Sequence, residues 1–173
     1  MVAHKLGMPV KHFVASVNSN DIVPEFLKTG VYKPKPSVAT ISNAMDVGDP
    51  SNFIRIQKLF NNDLEALSKK LSSFSYTDQE TKEVMQYIYK ETGYIADPHG
   101  AVGYLGLKDY LKNHPDAYGI FLETAHPVKF LPVVNEVIDA EISIPSQIEQ
   151  VMHKEKQAIA IKNYDQFKAF LLK

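Results

Sequence analysis

An apolar run that ends in a polar turn and passes straight into a helix narrows the folds open to this chain more than any other feature. Residues Val10 to Val17 have a buried-strand composition, Asn18-Ser19-Asn20-Asp21 is a polar turn, and Ile22 to Lys28 reads as a helix stopped by Gly30. The same order returns downstream. Tyr118 to Leu122 (YGIFL) reads as a short buried strand followed by a helix from Pro127. Gln157 to Ile161 reads as a strand before a helix over Tyr164 to Leu172, with Asn163 and Gln166 as its cap pair. Strands alternating with helices predict an α/β fold, a sheet flanked by helices. In such sheets ligands bind beyond the strand ends, where loop amides and helix N-termini converge. The polar turns Asn18 to Asp21 and Glu123 to His126 are therefore the first places to look for chemistry.

The middle of the chain reads as scaffold. Lys33-Pro34-Lys35-Pro36 forces an extended link into Ser37 to Ile41, a weak strand candidate. Ser51 is expected to cap a helix that carries Phe53, Ile56 and Phe60 on one face, and Leu64, Leu67 and Leu71 continue the helical pattern after Asp63. Thr77 with Glu80 forms a capping box for a helix that ends at Gly93, and Ala101 to Leu111 is a further helix. We expect residues 1–173 to form one α/β unit with a mainly helical segment over 52–113. Val2 to Leu6 looks like a last helical turn closed by Gly7, with no capping start, which suggests a helix that begins upstream of Met1, although a short N-terminal arm would look the same.

Composition removes several function classes. The formal net charge of -1 gives no global field for nucleic acid or an anionic membrane. With no cysteine there is no disulfide and no thiolate nucleophile, which fits a cytoplasmic setting. The N-terminus has no apolar run of export length. The six histidines show no HExxH or similar spacing, so no metal site is expected.

Several longer strings carry a family resemblance. Pro36-Ser37-Val38-Ala39-Thr40-Ile41-Ser42-Asn43-Ala44-Met45-Asp46-Val47-Gly48, then Pro50-Ser51-Asn52-Phe53 with Arg55, resemble the threonine synthase family. Tyr94-Ile95-Ala96-Asp97-Pro98-His99-Gly100-Ala101-Val102-Gly103 and Glu123-Thr124-Ala125-His126-Pro127-Val128-Lys129-Phe130 resemble two more of its motifs, in order and at the expected spacing. The resemblance covers nearly the whole chain as the C-terminal portion of such an enzyme. It implies a pyridoxal-phosphate (PLP) lyase of fold type II, the tryptophan synthase β-like architecture, that converts O-phosphohomoserine and water to threonine and phosphate. It also implies a Schiff-base lysine and an Asn/Gly-rich cofactor-phosphate loop, and neither motif occurs in these 173 residues. We therefore expect no catalytic lysine here, little activity from this chain alone and no covalent hold on PLP. The missing N-terminal portion becomes the expected partner, together with self-association through uncovered sheet edges and helix faces. The alternatives are a non-catalytic relative that binds a small molecule or phosphate, and a protein-interaction fragment.

The candidate residues each have a plainer reading. By resemblance, the Thr124 hydroxyl faces the pyridine nitrogen of the cofactor, where a neutral group leaves the ring a weaker electron sink than a carboxylate would. Spacing alone makes Thr124 a cap for the helix near Pro127. Ser51, Asn52, Arg55, His99 and His126 are substrate-pocket candidates. For both histidines a satisfied structural role is favoured over proton transfer or phosphate binding. Arg55, the only arginine, suits a phosphate through its planar fork or a solvated helix surface equally well. Ser51 and Asn52 divide between anion binding and ordinary capping. Gly100 and Gly103 allow close backbone approach, and Asp97 is expected to orient their turn.

Overall fold

The computed structural model describes all residues from Met1 to Lys173 and divides into two compact units, Met1–Glu141 and Ile142–Lys173. The first unit begins with α1 (Val2–Lys5), β1 (Phe13–Val17) and α2 (Ile22–Thr29). It continues through a 3-10 turn at Asn43–Met45, α3 (Phe53–Leu59), α4 (Leu64–Ser68), β2 (Leu71–Ser75), α5 (Asp78–Thr92) and α6 (Pro98–Lys112), and ends with a 3-10 turn at Pro127–Phe130 and α7 (Leu131–Val137). β1 and β2 form a two-stranded parallel sheet, Phe13 opposite Leu71 and Val17 opposite Ser75. Helices flank it, which gives the α/β arrangement expected from the alternation. α6 packs so closely on β1 that a Cβ on Gly106 would stand 1.8 Å from Ser16 Oγ.

Local chemistry sets most helix ends. Thr77 accepts from the Glu80 amide while the Glu80 carboxylate accepts from the Thr77 amide, a complete capping box. Gly30 and Gly93 end α2 and α5 in the left-handed region, at φ 74° and 72°. The Asp63 carboxylate caps α4. Ser51 does not cap α3: the helix starts at Phe53, Asn52 precedes it, and no side chain bonds to its first amides. The predicted apolar face of α3 is real. Phe53 and Phe60 join Phe26, Leu67 and Leu71 in one buried cluster, Phe53 edge-on to Phe26 at 5.1 Å between centroids.

Four expectations about strands change. Leu71, read as a continuation of helix, opens β2. Its segment Leu-Ser-Ser-Phe-Ser is too polar to announce itself as a strand, and pairing with β1 decides its state. Tyr118 to Leu122 has a strand's alternation, with Tyr118, Ile120 and Leu122 exposed by 104%, 89% and 76% and Phe121 half-buried against the Tyr104 ring. No neighbouring strand pairs with it, so no ladder forms. Ser37 to Ile41 and Gln157 to Ile161 likewise form no ladder.

The second unit holds α8 (Ser146–Met152) and α9 (Tyr164–Leu171). As the cap pair predicts, Asn163 accepts from the Gln166 amide. Residues 146–173 are all exposed, including Tyr164, Phe167, Phe170 and Leu171 of α9. No helix in the chain is long and apolar enough to cross a membrane.

Truncating the centre of the aromatic cluster should cost what a filled core position costs. Phe53→Ala is expected to lower the unfolding free energy by about 3–5 kcal/mol, measured by urea denaturation. A change near zero would contradict the packing described.

Candidate functional site at the N-terminus of helix six

Beyond the C-terminal end of β1 the chain buries polar groups instead of exposing them. Asn18 is 1% exposed, and its Nδ2 donates to Thr40 Oγ1 and Asp46 Oδ1, both at 2.8 Å. Its Oδ1 accepts from the backbone amide and side-chain amide of Asn20, each at 2.9 Å. Thr40 donates to the Asp46 carboxylate twice, through its hydroxyl at 2.7 Å and its amide at 3.0 Å. The Asn20 side chain closes a two-bond ring with Val38, accepting from its amide at 2.8 Å and donating to its carbonyl at 2.9 Å. This side chain does for Val38 what a neighbouring strand would. Buried polar groups are tolerated when each finds a partner, and this knot holds residues 38 to 46 against the end of the strand.

The knot connects to α6 through His99. The Ala44 amide donates to His99 Nε2 at 3.1 Å, so that nitrogen carries no proton. The ring is neutral and its proton sits on Nδ1, which donates to Asp97 Oδ1 at 2.7 Å. The same oxygen accepts from the His99 amide at 2.8 Å and so caps α6, with Pro98 at the first helical position. Phe130 lies over the imidazole, 4.7 Å between centroids. His99 is a buried strut between two loops, the structural role favoured for it by the sequence. Asp97 orients the turn as expected.

At the other end, Glu123 meets Asp97. Their carboxyls are within hydrogen-bonding reach, and the Glu123 carboxyl rests on the first turn of α6, where a Cβ on Gly100 would stand 1.9 Å from Oε1. With both groups ionised, Asp97 Oδ2 and both Glu123 oxygens would be buried without a donor. Burial, then the hydrogen bond to Asp97 and its charge, push the Glu123 carboxyl up to about 8. Burial also acts upward on Asp97, but the donors from His99 and Glu123 outweigh it and hold it below the usual carboxylate range. At neutral pH the pair therefore carries one proton, on Glu123. Burial and these two carboxyls also raise the Tyr94 phenol.

The hydrogen-bonded path thus runs from Asn18 through residues 40 to 46, Ala44, His99 and Asp97 to Glu123, and joins the two polar turns singled out in the sequence. Thr124 follows Glu123, is exposed, and makes no hydrogen bond within the chain. The cap it was a candidate for belongs to His126, whose Nδ1 accepts from the Val128 amide at 3.2 Å. Ser51, Asn52 and Arg55 stand apart from the path: all three are exposed, and Arg55 makes no ion pair. No group of three or more His, Cys, Asp or Glu gathers as a metal set. Sequence reasoning did not single out Asn18, Asp46 or Glu123 individually. Each lay inside a quoted string, but nothing in the spacing marked its burial.

The family model described as "Threonine synthase, C-terminal" matches residues 100–171. Over the full chain, 39% identity relates it to threonine synthase from Haemophilus influenzae, of which it covers 40%. Among solved structures, threonine synthase from Escherichia coli matches at a TM-score of 0.80 and 41% identity, over 86% of this chain and 34% of that one. PLP-bound threonine synthase from Brucella melitensis shares the fold at a TM-score of 0.76 and 24% identity, over 90% of this chain and 38% of that one. The chain thus spans between about a third and two fifths of the length of the relatives it matches.

Replacing Asn18 by leucine keeps most of the volume but strands the partners of a buried amide. Asn18→Leu is expected to cost about 2–3 kcal/mol and to speed proteolytic cleavage within residues 36 to 48. Unchanged stability and cleavage would show that the knot does not hold the loop.

Proposed function

Because this chain belongs to the threonine synthase family and matches its C-terminal portion, we propose that it forms one side of the active site of a PLP-dependent lyase. That enzyme converts O-phosphohomoserine and water to threonine and phosphate. The supporting observation is the Thr124 hydroxyl, exposed and unengaged on a turn whose neighbouring residue, Glu123, is anchored to α6. A free hydroxyl on an anchored turn suits a contact with the pyridine nitrogen of PLP. The cofactor, when bound, supplies the electron sink for chemistry at the substrate carbons. The chain's own part is to orient the ring through Thr124 and to keep the loop at 38 to 46 beside it.

The anchoring lysine and the cofactor-phosphate loop come from outside these 173 residues, and the 173 residues alone do not turn over substrate. The exposed apolar side of Tyr118 to Leu122 supports a partner of this kind, since a strand from the remaining portion would pair with it. His126 stays a pocket candidate because its Nδ1 is engaged and its exposed ring leaves Nε2 available. Ser51, Asn52 and Arg55 remain candidates for substrate phosphate, their side chains being solvated and without partners in this chain.

Phosphate release from O-phosphohomoserine with added PLP tests the reading. The chain alone should release none. Co-expression with the portion of the Haemophilus influenzae enzyme that the chain does not match should restore turnover. In that restored enzyme Thr124→Ala should lower kcat by about tenfold or more, roughly 1.4 kcal/mol or more of activation free energy. Turnover by the chain alone, or full activity of the Thr124 variant, would overturn it.

A further inference from the structure

We propose that Glu123 is a positioning residue: it bears the one proton shared with Asp97, and through it clamps the Glu123 to His126 turn onto the first turn of α6. Three observations carry this. Asp97 is 0% exposed, and its Oδ1 is already committed to two donors from His99 while Oδ2 has none. Both Glu123 oxygens are buried and likewise lack a donor, although Leu122 and Thr124 on either side are exposed. Within this chain, a carboxyl proton is the hydrogen placed to join these orphaned oxygens, and two carboxylates in contact cannot both stay ionised without one. The Glu123 carboxyl also occupies the space that any side chain at position 100 would fill, so the glycine there makes room for the clamp.

Asp97 is the charge that acts on Glu123. Tyr94 and His99 are the other titratable groups at the pair, and His99 is held neutral by the Ala44 amide and covered by Phe130. Ionisation of Glu123 releases the proton to solvent and places two negative charges in contact, which expels the carboxyl from its pocket and frees the turn. A carboxyl whose folded value is raised from 4.5 to about 8 contributes stability that is complete below pH 4.5 and is lost as the pH climbs to about 8. Asp97 is shifted the other way, so its linkage lies in the acid range. His12, pushed down mainly by burial, acts with the opposite slope near neutrality, and an isosteric variant of Glu123 separates the two.

The consequence for catalysis, that the clamp sets the position of Thr124, rests on the proposed PLP reading; the clamp itself does not. The test therefore uses this chain without cofactor. Carbon-detected NMR should show the Glu123 Cδ resonance titrating above pH 7. Amide protection factors for Val128 and Lys129, the amides of this turn that hydrogen-bond to His126, should fall by about tenfold or more between pH 6 and pH 9. Glu123→Gln, which stays neutral and still donates to Asp97, should keep that protection at pH 9. Glu123→Ala should lose it at both pH values, with α5 and α6 still protected as a control for folding. Titration of Glu123 in the ordinary carboxylate range would overturn the proposal, and so would identical protection in the glutamine and alanine variants. A failure of the PLP reading would leave all of these measurements unchanged.

Discussion

The buried carboxylate of Asp97 is the group on which the rest of the site depends. One of its oxygens caps α6 and fixes the tautomer of His99; the other receives the proton of Glu123. Through these two oxygens, three segments that lie far apart in the sequence are brought to one helix N-terminus. Such an arrangement gains little net stability from each bond, because every bond replaces one to water. It gains specificity, because removing any member leaves a buried polar atom without a partner, at about 1–3 kcal/mol each.

The Asn18 knot plays the corresponding role at the end of β1. A parallel sheet of two strands offers few backbone partners to its surroundings, so the loop from residue 38 to 46 is held by side-chain amides and a carboxylate instead. The Asn20 ring with Val38 shows the substitution most directly. Loop and helix are then joined by the single bond from the Ala44 amide to His99, which makes the imidazole the bridge between two polar clusters.

Features encoded within a few residues were legible in the sequence: the Thr77 and Glu80 capping box, the glycine stops at 30 and 93, the Asn163 cap, and the apolar face through Phe53 and Phe60. Features that need a distant partner were not. β2 hides in a serine-rich segment because its strand character comes from pairing with β1, while Tyr118 to Leu122 reads as a strand and lacks the neighbour to become one. The same division holds at the site. Asp97 could be expected to orient the turn that carries Gly100 and Gly103, and the two polar turns could be located from strand–helix order; the start of α6 at Pro98, ahead of the Ala101 expected, could not. The burial of Glu123 could not be foreseen, because it depends on Gly100 and Asp97, more than twenty residues earlier in the chain. Nor could the split between His99 and His126, two histidines in similar motif positions, of which one is buried and bonded at both nitrogens and the other exposed.

The site holds together only if Asp97 joins its neighbours through a neutral His99, and the ring nitrogens of that histidine report on it directly. In ¹⁵N-labelled protein at neutral pH, His99 should show a protonated Nδ1 and an unprotonated Nε2, since Nδ1 donates to Asp97 and Nε2 accepts from the Ala44 amide. An Nε2-protonated ring or an imidazolium at that pH would contradict it, because either would break the bond to Ala44 and separate the loop from the helix.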